Sequence, residues 1–294
     1  MKKIEKDKSV SVFFRSLCDQ LTTIYEEREA ITIASYIFED VFGIYNASSQ
    51  SERFFSDQEA EHFAEILSEL LDKRPWQYVV GQADFYGLKF KVNNKVLIPR
   101  AETEELVYAI IQKHKNEAVQ LLDIGTGSGC IAITLQKQLK NAAVTAVDVS
   151  TEALKVAKEN ASLNQVRLKF QQLDILDVAT RQKMPQYHII VSNPPYIQDT
   201  ETVVMPTHVL AHEPHLALFV TNKDPLQFYK AIADFALTHL YAGGWLYFEI
   251  NEYFGTEVVQ LLKHKGFINC ELVPDMSNRD RIVLGQLPAN FNRE

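Results

Sequence analysis

The sequence predicts an α/β protein in which a helical bundle, a β-hairpin and a mainly parallel sheet follow one another along the chain. Three observations predict it. Apolar residues recur at three- and four-residue spacing from Ser9 to about Lys73. The period then shortens to that of strands between Pro75 and Pro99. From Val119 onward, short β-rich runs alternate with helical patterns, the signature of βαβ units.

Within the first segment Phe13, Leu17, Leu21 and Ile24 share one helical face, as do Ile33, Ile37 and Val41, and then Phe63, Ile66, Leu67 and Leu70. Gly43 and residues 46–51 interrupt the pattern, and Ser56 followed by Glu59 forms a capping box that opens the next helix. Residues 1–75 are therefore expected to form a small helical domain. Phe85, Tyr86, Leu88, Phe90 and Val92 bracket a turn at Gly87, and Asn93-Asn94 makes a second turn, so 76–99 is expected to be a hairpin linker. In the remaining domain, 100–294, strands are expected at 119–124, 143–148, 168–173, 188–192, 246–250 and 282–284.

At 294 residues the chain has room for two units, and 46% apolar with 23% charged residues leaves little for disordered tracts. The net charge of −8, with acidic side chains outnumbering Lys and Arg over 9–74, lacks the basic excess that phosphate neutralisation requires, so direct nucleic-acid binding is not expected. No run of about 18 apolar residues occurs, and Arg15 and Asp19 interrupt any secretory signal, so a cytoplasmic protein without a membrane span is expected. Cys18, Cys130 and Cys270 lack CxxC spacing and are expected to be reduced, mostly buried thiols. His208, His212 and His215 sit in a loop with Pro206 and Pro214, and no metal site is expected there.

The run from Leu121 to Ala132, LLDIGTGSGCIA, is a strand, a glycine-rich turn and a helix start. Gly125, Gly127 and Gly129, with Thr126 and Ser128 between them, allow the backbone to pass close to a ligand at the carboxyl edge of the first strand. Asp148 ends the next strand, where an acidic side chain accepts from both hydroxyls of a ribose. Asp174 and Ile175 close the third, placed to accept from an adenine amino group and to cover its ring. Asp123, just before the glycines, suits the ammonium of a bound amino acid, which S-adenosylmethionine has and NAD lacks; taken by itself it reads equally well as a turn residue.

The fourth strand runs into Asn193-Pro194-Pro195-Tyr196-Ile197. Two prolines hold the backbone rigid after the strand, so the Pro194 carbonyl points outward beside the Asn193 side-chain oxygen. Two fixed acceptors match the two hydrogens of a planar NH₂ group, an amide or an aromatic amine, and Tyr196 offers a ring to lie on it. Such a nitrogen is a weak nucleophile, and acceptors placed where positive charge develops assist its attack.

DIGTGSG (123–129) and NPPYI (193–197), preceded by QYVVGQADFYGLKF (77–90) and VLIPRAETEELV (96–107), resemble the peptide-chain release factor glutamine-N5 methyltransferases, the HemK/PrmC family, over almost the whole chain. The resemblance implies a Rossmann-like, seven-stranded class I methyltransferase domain behind the helical bundle and hairpin. It implies transfer from S-adenosylmethionine, leaving S-adenosylhomocysteine, to the glutamine of the Gly-Gly-Gln motif of release factors, which the helical domain would recognise. Carried over by position, the 125–129 loop, Asp148, Ile175 and Asn193 would contact the cofactor, and Asn193, Pro194, Pro195 and Tyr196 would bind the glutamine. From the residues themselves, Asp123 and Asp174 are added to the cofactor contacts, and Asn193, Pro194 and Tyr196 are expected to serve catalysis. Arg100, Glu102 and Thr103 would shape the cofactor mouth, with Glu213-Pro214 in the loop after NPPY. Ala101, Ile175, His212 and Asn278 depart from the family's usual proline, aromatic residue, tyrosine and glycine.

NPPY also occurs in N6-adenine and N2-guanine nucleic-acid methyltransferases, the main alternative, which would carry a basic stripe. A nicotinamide dehydrogenase accounts for the glycine loop and Asp148 but leaves NPPY unexplained. A binding module without catalysis would not need Asn193.

Overall fold

The structure, a computed structural model, describes residues 9–198, 212–220 and 224–291; the first eight residues, Pro206 and His208 lie outside them. The chain folds as two compact units, one built on residues up to Gly81 and one on residues from Gln82 on.

The first unit contains α1 (Val10–Leu21), α2 (Glu27–Phe42), α3 (Asp57–Leu71) and α4 (Trp76–Val80). The apolar stripes expected of it form its core: Phe13, Leu17, Leu21, Ile33, Ile37, Phe63, Ile66 and Leu70 are all buried. Phe13, Phe38, Phe55 and Phe63 interlock, with the Phe13 and Phe63 rings edge to face at 4.8 Å. The Ser56 capping box is present: its Oγ accepts from the Glu59 N–H and Glu59 accepts from the Ser56 N–H at 2.8 Å.

The second unit opens with a hairpin, β1 (Gln82–Phe85) and β2 (Leu88–Lys91). Tyr86 and Gly87, with φ of +51° and +71°, make the left-handed two-residue turn that matches strand twist. There follow α5 (Ala101–His114), β3 (Gln120–Ile124), α6 (Cys130–Gln138), β4 (Ala143–Asp148), α7 (Thr151–Leu163), β5 (Lys169–Gln172), α8 (Val178–Arg181), β6 (Tyr187–Ser192), β7 (Ile197–Gln198), α9 (His215–Leu218), β8 (Phe219–Val220), α10 (Gln227–His239), β9 (Leu240–Glu249), α11 (Gly255–His264), β10 (Ile268–Pro274) and β11 (Asp280–Gln286).

Among the described residues seven strands form one sheet in the order β10-β11-β9-β6-β3-β4-β5, parallel from β9 to β5 and antiparallel at β11 and β10. Both faces are covered, and successive residues alternate between two cores. Leu121, Ile189, Val191 and Tyr247 pack with Leu106, Val107 and Ile110 of α5 and with α6; Leu122, Ile190, Leu246 and Phe248 pack with Tyr229, Ile232 and Phe235 of α10.

Besides the short, unanticipated pair β7 and β8, two strands of the seven-stranded sheet differ most from expectation. β9 begins at Leu240, because Gly243-Gly244 reads as a turn but sits in a bulge where the register to β6 shifts; a Cβ on Gly244 would come within 2.9 Å of the His188 carbonyl. β10 is not anticipated, because as an edge strand it carries Asn269 and Glu271 and lacks a fully buried face. Asn278, at the glycine position of the resembling family, lies at φ +60° in the turn between β10 and β11, a conformation asparagine tolerates. The thiols of Cys18, Cys130 and Cys270 are free, but each residue is partly rather than fully buried, since each sits at the margin of a core. No helix among the described residues is long and apolar enough to cross a membrane.

Two packing devices fasten the glycine turn. Gly129, at φ +83°, starts α6 against α7, and a Cβ there would meet Ile133 Cδ1 at 2.8 Å and Ala157 Cβ at 3.1 Å. Fully buried Asn160 of α7 accepts from the Lys91 N–H at 2.6 Å and donates to the carbonyls of Lys91 and Ser128 at 2.9 Å each, tying β2 and the glycine turn to one helix. Gly129→Ala should cost about 2 kcal/mol through strain and overpacking. Asn160→Ala strands three backbone groups and should cost about 3 kcal/mol, a fall in Tm on the order of 10 °C. Thermal and urea unfolding of the two variants checks both; an unchanged midpoint in either would remove the corresponding contact from the account.

Candidate active site

The strand order reverses between β3 and β6: the chain leaves β3 toward β4 and β5, then crosses back to β6 and β9. Loops at the carboxyl ends of two such strands diverge and leave a crevice between them. Here those loops are the glycine turn and Asn193-Pro194-Pro195, because Ile124 pairs opposite Ser192 and the Ser192 hydroxyl donates to the Ile124 carbonyl at 2.7 Å.

The glycine turn is held from the β4 side. Gly125 and Thr126 N–H groups donate to the Val147 carbonyl at 2.9 and 3.0 Å, and Gly127 N–H donates to Asp148 Oδ2 at 2.9 Å. Asp148 Oδ1 accepts from the Ser150 N–H at 2.9 Å, so each carboxylate oxygen holds one amide and keeps lone-pair capacity for another donor. Burial pushes its carboxyl above the ordinary value, against the backbone N–H groups of Ser150, Gly127 and Val149 that lower it. Gly125 and Gly127 have φ of +75° and +54° and open space where a Cβ would stand.

The crevice is a cavity of about 370 Å³. Gly125, Gly127, Asp148, Asp174, Ile175, Asn193, Pro194 and Pro195 line it together, drawn from the ends of four strands. Asp123, Thr126, Ser128 and Gly129 do not line it; they are buried or packed behind the turn. Leu173, Val149 and Ser150 complete the β4–β5 side, and Pro214, His215, Leu216 and Ala217 the far wall. Arg100 Nη2 anchors that wall through Glu213 Oε1 at 2.6 Å, although Arg100, Glu102 and Thr103 are themselves absent from the lining.

Asp123 is fully buried. Thr126 Oγ1 donates to its Oδ2 at 2.6 Å, while Oδ1 has no hydrogen-bond partner. Desolvation, with the Thr126 bond opposing and the Asp148 charge adding, pushes its carboxyl up to about 7. A second buried carboxyl lies behind Asn193: Glu249 at the end of β9, which burial pushes up to about 7 against the Thr103 hydrogen bond and the Arg281 charge. Thr103 Oγ1 donates to Glu249 Oε2 at 2.6 Å, and Asn193 Nδ2 donates to Thr103 Oγ1 at 3.3 Å. Tyr196 is outside the cavity lining; its hydroxyl donates to Glu249 Oε1 at 3.4 Å and its carbonyl accepts from Asn251 Nδ2 at 3.4 Å. Glu249 was the residue sequence reading passed over, and its one signal is an acidic residue at the end of the apolar run LYFEI. Among the described residues no cluster of three or more His, Cys, Asp or Glu could hold a metal.

Comparison with known proteins gives this geometry its context. The family model described as the methyltransferase small domain matches residues 103–220. A release factor glutamine methyltransferase of Flavobacterium psychrophilum is 46% identical over 222 residues, 74% of this chain and 77% of that protein. That of Bacteroides thetaiotaomicron is 39% identical over 265 residues, 90% of this chain and 95% of its own. Among solved structures, a methyltransferase from Pyrococcus furiosus shares the fold with a TM-score of 0.52 at 16% identity, over 80% of this chain and 100% of that one. Identity of this order, sustained across most of the length of both proteins, means that the chain belongs to the release factor glutamine methyltransferase family.

Proposed function

We propose that this protein transfers the methyl group of S-adenosylmethionine to the side-chain amide nitrogen of the glutamine in the Gly-Gly-Gln motif of peptide-chain release factors. The observation that carries the reading is the shared cavity: Asn193 and Pro194 line one crevice together with Gly125, Gly127 and Asp148. The residues present fit the cofactor. Gly125 and Gly127 leave open space where side chains would stand, Asp148 retains acceptor capacity, and Asp123 Oδ1 is a buried acceptor without a partner, a seat for an ammonium.

In this reading Asp148 would hold the ribose hydroxyls, Asp174 and Ile175 the adenine, the backbone of the 125–129 turn would pass along the chain between them, and Asp123, buried behind that turn, would favour the ammonium by its charge or through an ordered water. Bound there, the cofactor supplies an electrophilic methyl carbon. Asn193 Oδ1 and the Pro194 carbonyl accept the two hydrogens of the glutamine amide, hold its plane and aim the nitrogen face. As that nitrogen loses electron density, both acceptors stabilise the positive charge it gains. Tyr196, which does not line the cavity, stiffens the loop from behind through its hydroxyl on Glu249. Transfer leaves the nitrogen with the methyl, both hydrogens and a positive charge; this cation is strongly acidic, so one proton leaves to solvent without an enzyme base.

The helical segment 1–75 serves release-factor recognition, and residues 76–99, which hold α4 and then the β1–β2 hairpin, lead on to the catalytic domain of 100–294. The acidic balance of the chain favours a protein acceptor over a nucleobase. A release-factor substrate supports a cytoplasmic setting for the enzyme.

Mass spectrometry of a release factor incubated with enzyme and S-adenosylmethionine should show one added methyl on the Gly-Gly-Gln glutamine; methylation of RNA or DNA instead would move the acceptor to a base. Asn193→Ala should lower kcat by about 10²–10³-fold while S-adenosylhomocysteine binding weakens but stays measurable; normal turnover would sink the acceptor assignment. Asp123 is protonated below about pH 7 in the free protein, whereas a bound ammonium favours its charged form. Cofactor affinity should therefore rise with pH until it levels off above about 7, with proton release on binding at lower pH. Asp123→Asn should bind weakly and without that pH dependence, measured by calorimetry in buffers of different ionisation enthalpy.

A further inference from the structure

We propose that Thr103 and Glu249 are positioning residues that decide which end of the Asn193 amide faces the cavity. The inference rests on the reading above, in which Asn193 receives the acceptor amide.

An asparagine amide is nearly symmetric in shape but opposite in chemistry at its two ends: one accepts two hydrogens, the other donates two. A glutamine NH₂ needs the accepting end. Asn193 turned by half a rotation would face it with its own NH₂, and two donors would meet. Something behind Asn193 must break the symmetry.

Thr103 does so through a single proton. Its hydroxyl has one hydrogen to give, and the 2.6 Å contact with Glu249 Oε2 takes it, because an ionised carboxylate can only accept. The Thr103 oxygen is then left as an acceptor, and the neighbour it can hold is the NH₂ end of Asn193, at 3.3 Å. With its nitrogen turned back to Thr103, Asn193 presents its oxygen to the cavity that it lines. The three residues come from distant parts of the chain: Thr103 from the first turn of α5, Asn193 from the loop after β6, and Glu249 from the end of β9.

The polarity reverses when Glu249 is protonated. The carboxyl then donates to Thr103, the Thr103 proton becomes available to Asn193 Oδ1, and the amide is free to turn its NH₂ outward. Among the described residues, the titratable and polar groups facing Glu249 are Thr103 and Glu102 of α5, Tyr196, Arg281 of β11, Cys130 of α6 and Tyr229 of α10, whose hydroxyl donates to the Glu249 backbone carbonyl at 3.3 Å. Arg281, itself held by Asp275 at 3.2 Å, favours the ionised form; Glu102 and burial oppose it. At saturating S-adenosylmethionine, methyl transfer should consequently have an acid limb that belongs to Glu249, separate from the limb that Asp123 gives cofactor affinity.

The test is kcat from about pH 6 to pH 9 for the wild type, Thr103→Val, Thr103→Ser and Glu249→Gln, with a release factor as acceptor, alongside S-adenosylhomocysteine affinity at pH 8. The wild type should lose kcat as pH falls through about 7. Thr103→Ser, which keeps the hydroxyl, should keep the limb and stay within about threefold of wild type. Thr103→Val should lose about tenfold or more in kcat with the limb abolished, and Glu249→Gln should be comparably slow and flat with pH, each binding S-adenosylhomocysteine within about twofold of wild type. Thr103→Val with wild-type kcat and limb overturns the relay, as does a loss shared by Thr103→Ser or matched by lost S-adenosylhomocysteine affinity. A wild type that methylates the release factor while Thr103→Val equals it sinks the relay alone; a wild type that leaves the glutamine unmethylated sinks the functional reading and the relay with it.

Discussion

The parallel pairing of β3 with β6 is the constraint on which the cavity depends. It sets Ile124 beside Ser192, 68 residues apart in sequence, and so puts the glycine turn next to Asn193. A slip of one residue would exchange the two faces of a strand and drive Leu121 and Leu122, or Ile189 and Ile190, into the wrong core. All four are fully buried, two on each side of the sheet, so the register is fixed by packing on both faces at once. The Ser192 hydroxyl adds a lock at the strand ends, where packing is thinnest.

Around that pairing the protein buries two carboxyls that pure stability would not favour. Asp123 is the last residue but one of β3 and Glu249 ends β9, the strands on either side of β6. Both are fully buried and held near neutrality, and each is met by a threonine hydroxyl at 2.6 Å, Thr126 for the first and Thr103 for the second. Two perturbed carboxyls flanking one loop are the pattern expected of a functional site rather than of a packed core. The surrounding structure tolerates them because β6 between them is packed on both faces, with Ile189, Ile190 and Val191 fully buried.

The third feature is the attachment of the glycine turn to its neighbours. Val147 and Asp148 hold it from β4, Asn160 ties it to β2 and α7, and Gly129 lets α6 approach α7. A turn that must meet a ligand through its backbone is thereby fixed before the ligand arrives, which reduces the ordering that binding has to accomplish.

Much of this was written in the sequence. The buried helical stripes of α1 to α3, the Ser56 capping box, the Tyr86-Gly87 turn and the apolar runs of β3, β4 and β6 follow from periodicity and turn chemistry, which are local properties. The glycine turn and NPPY were legible for the same reason, because their residue types force backbone conformation without help from the rest of the chain. β10 and the first half of β9 were not, since an edge strand hides its pattern and a Gly-Gly bulge imitates a turn. Glu249 and Thr103 looked like one charge in a strand and one hydroxyl in a helix; only the crossing of β9 past α5 brings them to 2.6 Å. Local sequence determined which groups the protein carries and how their backbones are held, whereas the sheet's strand order alone decided which of those groups share a proton and which face the cavity, because hydrogen-bond partnership over such separations is set by packing and not by spacing along the chain.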